Sequence, residues 1–187
     1  MVLVKHLGRT RSLLVGPLTS AGLVTYGEGT ELLWIKFKLG TLMPNLPTRN
    51  FLNRETILPE AANQSFWLNG SAWQVPDFEH ADVFINRLVR AGVLTTDPLV
   101  SHVLEDGPRD LAPRTLRHRF LNSTGLTQTH IRQVERAQRA AALLANGVAI
   151  QDAVFAAGYF DQPHLTRSLK QWIGHTPAQI AQFARLE

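Results

Sequence analysis

The stretch GYFDQPHLTRSLK occupies residues 158–170 and carries its own start and stop signals. Gly158 halts the preceding element, Asp161 is a side chain that caps a helix start, and Gly174 ends the helix that Asp161 opens. Residues 162–173 therefore read as a short helix. Leu165, Leu169 and Trp172 recur at spacings of four and three and make one buried stripe. Pro163, His164, Thr166, Arg167 and Lys170 are left for solvent or ligand. A short helix with an apolar back and a face of hydrogen-bond donors suits the major groove of DNA.

The same design occurs once more upstream. Residues 113–122 read as a helix with Pro113 in its first position and Gly125 beyond its end. Leu116 and Phe120 face a core, while Arg114, Arg117 and His118 lie on the other side. Between the two, residues 128–145 form a long helix, capped by Thr127 and ended by Asn146-Gly147, and residues 150–157 form another, stopped at Gly158. Thr176-Pro177 opens a last helix to about residue 185, and residues 97–105 give a short helix broken by Asp106-Gly107-Pro108. Short helix, turn and amphipathic helix thus occur twice. The eighteen residues 128–145 would span roughly 27 Å at about 1.5 Å each. That separation would place two donor faces near one DNA turn, about 34 Å.

Local charge agrees. Residues 109–139 hold Arg109, Arg114, Arg117, Arg119, Arg132, Arg136 and Arg139 against only Asp110 and Glu135. The planar two-pronged guanidinium matches phosphate and the guanine edge. The whole chain is only mildly basic, with 19 Lys and Arg against 15 Asp and Glu, which permits a polyanionic partner without requiring one.

Before residue 95 the character differs. Gly and Pro punctuate residues 1–76, and short runs lie between them. Residues 12–15, 23–26 and 31–39 read as strands, the last with Ile35, Phe37 and Leu39 on one side and Lys36 and Lys38 on the other. Residues 66–68 and 72–75 flank Asn69-Gly70, a hairpin turn. Residues 40–60 lack a clean period and read as loop. Residues 78–91 switch to a helical stripe of Phe78, Ala81, Phe84, Ile85 and Leu88, capped by Asp77 and ended by Gly92. That stripe is a candidate dimer element. Trp34, Phe37, Trp67 and Trp73 are candidates for an effector pocket, against the simpler role of core aromatics.

Composition excludes several classes. With 187 residues, one or two domains fit. The 44% apolar and 18% charged content is that of a globular chain. The absence of cysteine removes disulfides, thiolate zinc sites and thiol nucleophiles. No His-Glu-x-x-His spacing, P-loop or Gly-x-Ser-x-Gly elbow occurs, so no metal, cofactor or enzymatic reaction is expected. No apolar run reaches the roughly 18 residues of a membrane span, and a cytoplasmic protein is the expectation.

Residues 97–183 resemble the AraC/XylS family of bacterial transcription regulators. The likeness rests on LAPRTLRHRF (111–120), TGLT (124–127), the Arg-Ala-x-x-Ala-Ala-x-Leu-Leu run (136–144), GYFDQPHLTRSLK (158–170) and GHTP (174–177), in that order and spacing. The resemblance implies two helix-turn-helix units joined by a central helix, with 113–122 and 162–173 as recognition helices. By position it implies base contacts from Arg114, Arg117 and His118 in the first unit. In the second it implies Gln162, Pro163, His164, Thr166 and Arg167. Arg119 and Arg132 are expected at phosphates, which position without specifying. Departures are Ala112 in place of a frequent capping Ser, a longer stretch from Asp106 to Leu111, Val154 where a small Ala is usual, and Pro163 where a donor is usual. The first 95 residues resemble, more loosely, the β-rich sensor region of such regulators.

The expectation is an α+β protein. Residues 1–76 form a small β-rich sensor-like domain, 77–95 a connecting helix, and 96–187 a double helix-turn-helix domain. Its partner is double-stranded DNA. RNA polymerase is a further partner by resemblance, and a small-molecule effector and a homodimer are candidate partners of the first 95 residues. The alternative is a ligand- or partner-binding module whose helical half no longer binds DNA.

Overall fold

A computed structural model of the chain describes residues 1–100 and 112–184. Strands occupy the N-terminal part and helices the C-terminal part, an α+β architecture. By packing the chain divides into two compact units, Met1–Pro17 with Thr25–Thr127, and Leu18–Val24 with Gln128–Glu187.

In the first unit, β1 (Val2–His6), β2 (Arg9–Val15), β3 (Glu31–Trp34) and β5 (Glu55–Ile57) form an antiparallel sheet in the order β3-β1-β2-β5. Short β4 (Thr41–Leu42) pairs with β9 (Thr95–Thr96), and β6 (Glu60–Ala61), β7 (Ser65–Leu68) and β8 (Ser71–Gln74) make a meander. The Asn69-Gly70 hairpin forms as expected, with both residues at positive φ, +52° and +76°. One core gathers Leu3, Leu14, Leu58, Phe66, Leu68, Trp73, Phe84 and Leu88, among others. The Phe84 ring meets Phe66 and Trp73 edge-on, at 6.0 and 6.3 Å. Phe84 and Leu88 come from α1 (Ala81–Arg90), so the stripe read as a dimer element is used within its own unit. Phe78 lies outside that helix and is exposed, because Asp77 accepts the His80 amide and the helix begins only at Ala81.

Three other expectations need correction. Residues 23–26 are not a strand; Leu23 and Val24 are exposed on an irregular segment. The strand expected over 31–39 stops at Trp34, although Lys36 and Lys38 remain exposed and Ile35 and Phe37 half-buried. Residues 40–60 contain β4, β5 and a 3-10 turn over Thr48–Phe51 rather than loop alone. The helix expected over 97–105, with its break at Asp106-Gly107-Pro108, falls largely on residues outside those described.

The helices of the C-terminal part keep close to the expected boundaries. They are α2 (Pro113–Thr124), α3 (Gln128–Ala145), α4 (Ile150–Ala156), α5 (Gln162–Trp172) and α6 (Pro177–Phe183). Asp161 caps α5 by accepting the His164 amide at 2.7 Å, and Thr176 with Gln179 forms a capping box on α6. The second unit has its own core of Ala137, Ala140, Leu144, Ala153, Val154, Tyr159, Leu165 and Leu169. Alanines on α3 and α4 allow close approach, and Val154 is accommodated there, nearly buried.

Candidate nucleic-acid interface

Helix α2 belongs to the first unit and is clamped there by one carboxylate. Asp97 is almost buried and accepts from Ser123 Oγ at 2.6 Å, from the Leu99 amide at 3.0 Å, and from Arg119 Nη2 at 3.2 Å. Burial alone would raise this carboxyl. The Ser123 and Leu99 hydrogen bonds and the Arg119 guanidinium overcome it and hold Asp97 below its ordinary 3.8. Arg119, expected at a phosphate, is thus engaged with Asp97, with about half of its side chain still exposed. Phe120, Ser123 and Thr124 are buried, and Gly125 ends the helix in the left-handed conformation at φ +73°.

The opposite face of α2 carries the donors. Arg114, Arg117 and His118 are all exposed. Asn122, one turn beyond His118, donates from Nδ2 to His118 Nε2 at 3.0 Å. An amide nitrogen can only donate, so the imidazole proton sits on Nδ1 when the ring is neutral. Asn122 Oδ1 in turn accepts from Arg49 Nη1 at 3.4 Å.

In the second unit, α5 turns Leu165, Ser168 and Leu169 inward. Ser168 Oγ lies 2.8 Å from the Tyr159 hydroxyl, which satisfies both buried groups. Gln162, Pro163, Arg167 and Lys170 are exposed; Thr166 and His164 are half-buried. The His164 ring packs edge-on against Tyr159, with centroids 5.1 Å apart, so it is held by the core as well as facing outward. Tyr159 also carries Arg136, whose guanidinium carbon lies 4.4 Å from the ring centre. Arg132 is exposed on α3.

All eight base-contact candidates are therefore on two short helices, each with a buried apolar back. Lys170, one turn beyond Arg167 on the exposed face, belongs with them by position. Its i+3 spacing from Arg167 is the signal that places it. Asn122, at i+4 from His118, is marked by the same kind of spacing, whereas Asp97 and Arg49 also bear on the site and no local pattern marks either.

The effector-pocket candidates scatter. Trp73 is in the core and donates Nε1 to the Leu68 carbonyl at 3.1 Å, Phe37 packs at the core edge, and Trp34 and Trp67 are 61% and 47% exposed. A cleft of about 560 Å³ is lined instead by Arg9, Arg11, Ser12, Glu60, Gln64 and Phe66, among others. Among the described residues no helix is long and apolar enough to cross a membrane.

Residues 110–182 match a family model described as a helix-turn-helix domain. No curated protein and no solved structure matches the chain. The matched segment is an AraC-type helix-turn-helix domain, a DNA-binding domain of transcription regulators and not of an enzyme family.

Proposed function

We propose that the chain is a sequence-specific transcription regulator that reads two successive major grooves, one with α2 and one with α5. The observation that carries this is the repeated helix with a buried apolar back and an exposed donor face, both copies lying within the matched segment. Base discrimination falls to Arg114, Arg117 and His118 on α2, and to Gln162, Pro163, His164, Thr166 and Arg167 on α5. Pro163, having no donor, contributes apolar contact, for which a thymine methyl is the fitting partner. Arg132 positions the chain on phosphate; Arg119 does so in addition to its pairing with Asp97. The 18 residues of α3 give a rod of about 27 Å, suited to adjacent grooves.

The functional division we propose is sensor 1–76, connector 77–95 and reader 96–187. It need not coincide with the division by packing, because α2 can be held by the first unit and still expose its donor face. RNA polymerase and a bacterial cytoplasm enter this proposal on resemblance, and a small-molecule effector and a second copy of the chain enter it on the sequence of the first 95 residues. The alternative is a ligand- or partner-binding module without DNA affinity. It has one observation in its favour, the tight hold of Asp97 on α2.

Binding of a duplex measured against salt separates the two. Contact through several arginines lowers log K linearly with log salt, by about 0.9 per phosphate neutralised. A folded chain whose association with DNA is absent, or flat in salt, would sink the proposal.

A further inference from the structure

We infer that Arg49, on the 3-10 turn of the first unit, is a phosphate-binding part of the reading surface of α2. This role rests on the proposal that α2 reads DNA. Residues Thr48–Phe51 pack against α2 within the first unit. The Arg49 guanidinium donates to Asn122, and Asn122 donates to His118, a base-facing candidate. The cation thus stands two hydrogen bonds from the imidazole, on the flank of the helix. A helix seated in a groove about 12 Å wide has phosphates against its flanks and bases against its centre.

Arg49 is exposed, and among the described residues no carboxylate lies within 4.0 Å of it. Its partner Asn122 is neutral and, among the described residues, leaves the charge uncompensated. The turn that carries it is anchored. The Gly16 amide donates to the Arg54 carbonyl, and the Asn53 amide to the Pro17 carbonyl, each at 2.9 Å. Gly16 has no room for a side chain, because a Cβ there would run into the Phe51 carbonyl. A turn anchored this way keeps the Arg49 backbone in place beside the recognition helix, so the ordering left to a phosphate contact is that of the side chain. The strand-bearing part of the first unit would then join α2 in reading directly, and a change at the end of β2 would alter a DNA contact.

The test is the salt dependence of duplex binding by the full chain carrying Arg49→Gln or Arg49→Lys, with Arg114→Ala as control. Glutamine can still donate to Asn122 but carries no charge. It should reduce the slope of log K against log salt by about 0.9, while lysine keeps the wild-type slope. A wild-type slope in Arg49→Gln, with binding weakened in Arg114→Ala, would overturn the role of Arg49 and leave the DNA-reading proposal standing. A wild-type chain without salt-dependent binding would overturn both.

Discussion

Arg167 and Arg114 are exposed, sit on different helices, and in the proposed complex meet base edges. Arg167→Ala and Arg114→Ala should each relax preference at one base position, at a cost of about 1–3 kcal/mol in specific binding. Binding to a panel of single-base variants reads this directly; unchanged preference in both would remove the helix assignments. Arg132→Ala should behave differently, weakening all duplexes alike and reducing the salt slope by about 0.9. A loss confined to one sequence would contradict a phosphate role. The exposure of Arg114 and Arg167 was legible from spacing because three- and four-residue intervals put them opposite Leu116, Phe120, Leu165 and Leu169. Arg49 was not, since the residue it bonds lies 73 positions away. Neither was the engagement of Arg119, because no local rule joins it to Asp97.

Elements with local end signals were the legible ones. Asp161, Thr176, Gly125 and Gly158 each mark a helix boundary that forms close to where they stand. Apolar content without such signals misled. Residues Leu23 and Val24 look strand-like, yet they lie on a segment whose Ala21 amide donates to the Gln171 carbonyl at 2.7 Å, at the last turn of α5. A strand needs an edge to pair with, and sequence period alone does not supply one. Two predictions belong at this scale. Gly16→Ala must displace the backbone of Phe51, so it should lower the unfolding midpoint of the first unit and loosen the turn carrying Arg49; an unchanged thermal midpoint would refute the close approach. The Asp97 clamp is pH-dependent. Its carboxyl titrates lower folded than unfolded, so its stabilisation is present above the ordinary 3.8 and is lost as pH falls through the lowered folded value. Denaturant midpoints taken between pH 6 and pH 3 should fall less steeply in Asp97→Asn than in the wild type. Parallel curves would mean the carboxylate holds nothing.

For the molecule as a whole, the change from Gly- and Pro-punctuated strands to capped helices is visible in the chain, and the α+β architecture is its consequence. Which core each helix joins is not visible. Phe120 and Ser123 bury themselves with the first unit, while Leu165 and Leu169 bury themselves with the second. Burial is decided by long-range fit, which a period of 3.6 cannot report. The central claim is that both donor faces read bases. Selection of bound duplexes from a randomised pool at fixed moderate salt tests it most directly. Two enriched boxes about one helical turn apart are the predicted result. A single box would contradict the two-groove proposal and leave one recognition helix, and no enrichment with folded protein would contradict sequence-specific reading altogether.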